Sequence, residues 1–483
     1  MEPRMNGRGH RLNTERARRV EVAVGELRAL LGPRISTEAW ALEQHSRDES
    51  HHAASRPEAV VSCTCLADVA QTLRICQGHG VPVIPFGAGT GLEGGVIPVH
   101  GGITLDLSAM NRIVRLSVED QDVTVEPGVT LSQLNRRLGD EGLYFPIDPG
   151  SDPTIGGMAA TGASGTNAVH YGTMKENTLG LTVALATGEV VTTGGRARKS
   201  AAGYDLTRLF VGSEGTLGVI TEITVRVYGL PETLAAAVCS MKDLQAATSA
   251  VIQMIQLGIP LGRVELLDEV MVEANNRFND LSYPVCPTLF LEFHGGRDSV
   301  AEQIREVTEV VAAQGAELQW TDSAAERSRL WEVRHHSLYA AKAMRPGATA
   351  WATDVCVPIS RLAECIAETK LDIERSGVVA PIVGHVGDGN FHLTFVVMPS
   401  DPAEHAAASG VHERMVARAL AMDGTCTGEH GIGIGKVGFL ESERGGGIEV
   451  MRRIKAALDP KWIMNPGKVL ASADPTTRPS PGA

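Results

Sequence analysis

A chain of 483 residues is too long for one ordinary hydrophobic core, so two or three domains are expected. A formal net charge of −13, with no basic stretch interleaved with aromatics, excludes a nucleic-acid surface. No apolar run reaches the roughly 20 residues of a membrane span and no signal-peptide core opens the sequence, so a soluble cytoplasmic protein is expected.

In chain order, Met1–Arg19 carries Arg4, Arg8, Arg11, Arg16, Arg18 and Arg19 and is read as a frayed basic arm, because Glu2, Glu15 and the rarity of Ser argue against a transit peptide. Val20, Val24, Leu27 and Leu31 recur at helical spacing within Thr14–Leu31, and Gly32-Pro33 stops the helix. Ala59–Ser62 reads as a strand, Leu66–His79 as an amphipathic helix closed by Gly80, and Val81–Pro85 as a strand, which together make a βαβ start. Eight cysteines are scattered without cluster or C-x-x-C spacing, so reduced thiols are expected.

Pro85–Gly95, PFGAGTGLEGG, follows, and five of its eleven residues are glycine. Such a loop lets backbone N–H groups approach an anion. It matches G-x-G-x-x-G, but a strand at Ile103–Leu107 follows where the dinucleotide fingerprint requires a helix, so a classical nicotinamide site is rejected. Val114–Val118 and Asp122–Glu126 alternate as strands, and Leu131–Glu141 reads as a helix. Asp148–Gly172 is a second stretch of small residues, poor as core and suited to wrapping a large phosphate-bearing ligand. Leu179–Ala186 and Val190–Thr193 pair as a hairpin, and Thr221–Tyr228 is the last strand of this unit.

From Thr233 strands alternate with longer helices: Met241–Leu257, Ser299–Gln314, Ala324–Leu338 and Ser360–Arg375, with strands at Leu289–Phe293 and Thr349–Val357. Val378–Val386 and Phe391–Val397 then flank Asp388-Gly389, a two-residue hairpin turn. That register sets His385 opposite His392, with Cβ atoms about 4.5–5.5 Å apart, at chelating distance for a divalent ion. Glu429, in GTCTGEHGIGIGK, is the best remaining third ligand, since a carboxylate and two His leave open positions for substrate. Ala403–Ala421 and Glu449–Leu458 are the last helices, and the stretch after Leu470 is expected to be disordered.

Taken together, PFGAGTGLEGG, PGSDPTIGGMAATGASG, GYDLTRLFVGSEGTLGVIT, TDVCVPISRL, GHVGDGNFH, GTCTGEHGIGIGK and LDPKWIMNPGKVL resemble, in this order, the FAD-linked D-2-hydroxy-acid dehydrogenases of the vanillyl-alcohol-oxidase superfamily. TDVCVPISRL is most similar to the branch that oxidises D-lactate with a cytochrome acceptor. The fold implied is α+β: an N-terminal helical segment (1–54), a PCMH-type FAD-binding domain of two α+β subdomains (55–230), an α+β cap on an antiparallel sheet with the metal-binding hairpin (231–420), a C-terminal helical segment completing the active site (421–470) and a tail (471–483).

The resemblance implies an FAD cradle from Pro85, Gly87, Ala88, Gly89, Thr90 and Gly91, then Pro149, Gly150, Ser151, Thr154, Gly156 and Gly157. Thr161, Gly162, Ser164, Gly165, Gly172, Glu214, Gly218, Ile220 and Asn465 would complete it. Covalently flavinylated relatives carry His or Cys beside the first loop; Thr90 and Leu92 stand there, so FAD is expected to be non-covalent. His385, His392 and Glu429 would hold a divalent metal, Zn²⁺ or Mn²⁺, His430 would be the general base, and Arg334 would hold the substrate carboxylate. The reaction implied is oxidation of a D-2-hydroxy acid, most readily D-lactate to pyruvate. An external acceptor would then take the electrons: cytochrome c, an electron-transfer flavoprotein or a quinone-linked carrier. D-2-Hydroxyglutarate, for which Lys342 would meet the second carboxylate, and glycolate are the alternative substrates, and a metal-dependent hydrolase is the rival class. The resemblance leaves room for a homodimer and for peripheral association with the inner face of the membrane.

Overall fold

The computed structural model describes residues 7–471, with side chains from Thr14 onward. The tail beyond Ala471 lies outside the described residues. Gly7–Leu31 is one helix, which corrects the frayed arm from Gly7 to Arg19; Met1–Asn6 lies outside the described residues. Arg16 pairs with Glu58 at 2.6 Å and donates to the His100 carbonyl at 2.7 Å, while buried Val20, Ala23, Leu27 and Leu31 seat the helix on the first core.

Among the described residues the first unit has two larger sheets, besides the two-stranded pair Leu143–Tyr144 and Tyr228–Gly229. Ala59–Ser62 and Val83–Phe86 flank Ile103–Asp106 in parallel, with Ile35–Ser36 antiparallel at the edge. Leu66–His79 is the crossover helix, and Gly80 ends it in the left-handed conformation that favours glycine. The second sheet is antiparallel, in the order Ile113–Ser117, Asp122–Val125, Val219–Arg226, Thr178–Ala184, Val190–Gly194. The small-residue stretch Asp148–Gly172 is not all loop: Ile155–Thr161 is a helix that buries Ile155, Met158 and Ala159 in the core of this sheet. Gly156 permits that approach, since a Cβ there would strike Pro127.

The cap is an antiparallel sheet in the order Gln319–Thr321, Thr233–Ser240, Thr288–Gly295, Leu261–Leu267, Ile382–Gly384, Asn390–Val397, Thr349–Ala352, and Val355–Cys356 also pairs with Asn390–Val397. Helices Leu244–Gln256, Arg297–Ala313, Leu362–Ser376 and Pro402–Ala421 bury one apolar face against it, and Met271, Trp331 and Ala341 pack in a second, smaller cluster with Phe290 and Val383. The strand Leu261–Leu267 was absent from the sequence reading, as were the helices Glu269–Asn279 and Val437–Arg444.

The expected hairpin register is wrong. His392 lies opposite Val383 and Leu393 opposite Ile382, while Val386–Asp388 forms a 3-10 turn, so the connection is longer than two residues. His385 thus leaves the strand rather than pairing across it. The two imidazoles nevertheless meet, with ring centroids 5.2 Å apart, because the turn folds His385 back over the sheet end.

After the cap, the chain returns to the first unit. Met464 bridges to Val83, the Asn465 N–H donates to the Val83 carbonyl at 2.8 Å, and Lys455 Nζ donates to the Thr216 carbonyl at 2.6 Å.

One buried group in the cap makes stability depend on pH. His412 packs edge-on to Trp351 and Phe439, with centroids 5.3 and 5.2 Å away, and its Nε2 has no partner. Burial pushes this imidazole down to about 3. The unfolded chain takes up the proton near 6.5 and the folded one does not, so the contribution is complete above about pH 6.5 and lost as pH falls toward 3. At pH 5.5 this one group costs about 1.4 kcal/mol. The expected result is a melting temperature that falls from pH 7 to 5.5 and falls less in His412→Phe; equal slopes would assign the pH dependence to other groups.

Candidate active site

One cleft, with a cavity volume of about 300 Å³ and open to solvent, runs from the glycine loop Gly87–Gly91 past Pro149–Ser151 to His385, His392, Glu429 and His430. Every residue expected for the cofactor cradle lines it except Gly162, Gly165, Gly172 and Asn465. Those four shape the walls from behind. Gly162 and Gly172 end short helices at positive φ, and a Cβ on Gly165 would strike the Asp148 carbonyl. Asn465 Nδ2 donates to the Gly95 and Glu214 carbonyls at 2.9 and 2.7 Å.

Glu214 lines the cleft and also makes a contact that the sequence did not foretell. Its carboxylate accepts the N–H groups of Ile432 and Gly433 at 2.6 and 2.8 Å, so a side chain of the first unit pins the loop that carries Glu429 and His430. The cradle itself fits a large flat ligand: Gly150 lines the cleft at positive φ, and a Cβ there would meet nothing within 4 Å.

At the far end three ligand atoms converge within 4.8 Å of one another, from His385, His392 and Glu429. Glu429 Oε1 lies 2.9 Å from His385 Nε2 and 3.3 Å from His392 Nε2. The opposite ring nitrogens are already committed. Nδ1 of His392 donates to the Thr353 carbonyl at 2.9 Å, and Nδ1 of His385 donates to Glu265 Oε1 at 2.6 Å. Both contacts commit Nδ1 as a proton donor, which leaves Nε2 as the nitrogen that could ligate a cation once it is deprotonated. Glu429 Oε2 is buried with no partner. Burial opposes charge on His385, yet Glu265 and Glu429 hold its imidazole up at about 10. Positive charge is favoured here, and two imidazoles with a carboxylate suit a divalent cation.

His430 stacks on His392 with centroids 4.9 Å apart and planes 11° apart, and it lines the cleft. Burial pushes its imidazole down to about 4, and its Nδ1 has no hydrogen-bond partner, so it is neutral at pH 7 and able to accept a proton. Arg334 also lines the cleft, with Nε donating to Glu265 Oε2 at 2.7 Å.

Three site groups escaped sequence reasoning. Asp354 is fully buried; its Oδ2 accepts from Thr427 Oγ1 at 2.6 Å and from the N–H groups of Glu429 and His430 at 2.9 and 3.0 Å, and its Oδ1 from Asn390 Nδ2 at 2.7 Å. Lys436, also buried, lies 2.8 Å from Glu93 and 3.7 Å from Asp354. Glu265 joins His385 to Arg334. Its signal was two charged residues, Arg263 and Glu265, alternating in an apolar run, which places both on one face of a strand.

Residues 57–194 match the family model described as an FAD binding domain, and residues 230–469 match that of the C-terminal domain of FAD linked oxidases. A probable mitochondrial D-lactate dehydrogenase of Danio rerio is 52% identical over 457 residues, covering 93% of this chain and 92% of that one. A mitochondrial D-lactate dehydrogenase [cytochrome] of Arabidopsis thaliana is 42% identical, covering 92% and 80%. Among solved structures, p-cresol methylhydroxylase with substrate bound superposes with a TM-score of 0.74 at 19% identity, covering 94% of this chain and 97% of that one, which shows the PCMH-type fold. The mitochondrial location in the names of these relatives overturns the cytoplasmic expectation. No helix among the described residues is long and apolar enough to cross a membrane. With matches spanning nearly its whole length, the chain belongs to the family of FAD-linked oxidases, as an FAD-dependent oxidoreductase.

Proposed function

We propose that this chain oxidises D-lactate to pyruvate and passes the electrons to cytochrome c or a similar carrier. The observation that carries the reading is the continuity of the cleft: the cofactor loops, a His-His-Glu cation site, a neutral imidazole and a guanidinium all border one space. The D-lactate specificity named for relatives at 52% and 42% identity supports the choice of substrate.

Each residue then has a task. Arg334 binds the substrate carboxylate and fixes the α-carbon in the cleft. His430 accepts the hydroxyl proton: its imidazole is neutral at pH 7 and borders the cleft, although burial makes it a weaker base than a free imidazole. His385, His392 and Glu429 hold a divalent cation, Zn²⁺ or Mn²⁺. When bound, that cation supplies Lewis acidity and non-covalent FAD supplies a two-electron acceptor. Asp354 holds the backbone of Glu429 and His430 in place. Lys342, the residue on which a second substrate carboxylate would rely, is exposed and does not line the cleft, which disfavours hydroxyglutarate.

The test is the anaerobic absorbance spectrum of the FAD-loaded protein, before and after D-lactate, with L-lactate as control. Bleaching of the flavin band by the D form alone is expected. A spectrum that D-lactate leaves oxidised would overturn the choice of substrate.

A further inference from the structure

Glu265 sits inside the cap sheet on Leu261–Leu267, is fully buried, and has both carboxylate oxygens in use. Oε1 accepts from His385 Nδ1 at 2.6 Å and Oε2 from Arg334 Nε at 2.7 Å. One donor belongs to a candidate cation ligand and the other to the candidate substrate-carboxylate group. Burying a carboxylate is costly unless every lone pair it turns inward is met, so its place mid-strand calls for a reason beyond packing.

We propose that Glu265 is a positioning residue that ties the cation site to substrate recognition. It keeps the His385 proton on Nδ1, so that Nε2 presents its lone pair to the cation, and it fixes the plane of the Arg334 guanidinium over the cleft. The proposal deepens the proposed function and rests on its cation site.

The chemistry of the two donors explains why a carboxylate is required. Arg Nε only donates, and His385 must donate from Nδ1 if Nε2 is to ligate. A carboxylate offers two acceptors, one for each. An amide offers one acceptor and one donor, so Glu265→Gln satisfies one partner at the expense of the other. With its carbonyl on Arg334, its NH₂ faces His385 Nδ1 and drives the ring proton onto Nε2, blocking the ligand. With its carbonyl on His385, its NH₂ opposes the Arg334 N–H and the guanidinium turns away. A change of one atom thus separates positioning from bulk, because the side-chain volume is nearly constant.

The experiment uses the full-length FAD-loaded protein and measures Zn²⁺ and Mn²⁺ affinity by competition with a chelator, alongside KM and kcat for D-lactate. Glu265→Gln is expected to weaken cation affinity by roughly 10- to 100-fold, the scale seen when a ligand histidine loses its outer partner, or to raise KM by a comparable factor. Flavin content should stay at the wild-type level. A variant that folds and keeps wild-type affinity and KM overturns the proposal. Should Glu265→Gln fail to fold, Glu265→Asp keeps the charge but is one methylene too short to reach both donors. A lowered melting temperature in that variant, with cation affinity and KM untouched, marks a purely structural role and also overturns it. Wild-type protein that takes up neither cation refutes the underlying cation site instead, and the two failures are therefore distinct.

Discussion

His430→Ala is expected to slow flavin reduction by D-lactate by roughly 10²- to 10⁴-fold, the usual worth of a positioned general base, with FAD content and cation affinity unchanged. The separation follows from geometry. The ring of His430 is stacked on His392 but its nitrogens lie outside the converging His385–His392–Glu429 set, and it borders the cleft with Nδ1 3.8 Å from Glu93, at the end of the first glycine loop. Deleting it removes a proton acceptor without removing a ligand. The check is anaerobic stopped-flow of the visible flavin band, with cation content measured on the same sample. Reduction at the wild-type rate would deny His430 the role of base. A parallel loss of the cation would mean that the residue is structural at that site.

Asp354→Ala has the larger expected effect on folding. This carboxylate accepts from two backbone N–H groups, a hydroxyl and an amide, and lies 3.7 Å from Lys436, which is itself fully buried. Burial alone would raise the Asp354 carboxyl, but Lys436 and the two imidazoles of His430 and His392 hold it well below the usual range. Removing it leaves Lys436 with Glu93 as its remaining carboxylate partner, and four donors lose their acceptor. Breaking a buried pair in this way costs about 3–5 kcal/mol. Denaturant unfolding should show that loss, with a matching loss of cation affinity because the Glu429-His430 loop is no longer held. A stable variant with intact cation binding would show that the loop is set by Glu214 alone.

What the sequence made legible has a physical pattern. The glycine loops could be read because closely approached backbone leaves a compositional trace that does not depend on long-range packing. His385 and His392 could be paired because they bracket a turn, but their register could not. The turn Val386–Asp388 is set by its packing, where a Cβ on Gly387 would strike Val169, and not by Asp388-Gly389 alone. Glu265 was missed for the opposite reason: the two charged residues of the strand Leu261–Leu267 resemble a surface element until His385 and Arg334 close over Glu265. Asp354 stands inside TDVCVPISRL, yet three of the four donors it satisfies lie over seventy positions later and the fourth, Asn390, lies 36 positions later, beyond the reach of local pattern. The cytoplasmic expectation failed because nothing in the cap or the cradle bears on where the protein works.

The bridge from Met464 to Val83 has a consequence for how the molecule comes into being. A strand made early in synthesis waits for a partner made near the end, and the loop that closes between them encloses almost everything else. Such contacts are slow to form, because loop-closure entropy must be met before the contact returns anything. A nascent chain can therefore complete the cap, whose strands lie closer together in sequence, while the cofactor cradle still lacks the support that Asn465 gives from behind. The final segment acts as a latch on an otherwise open vessel, and its arrival turns two folded parts into one enzyme.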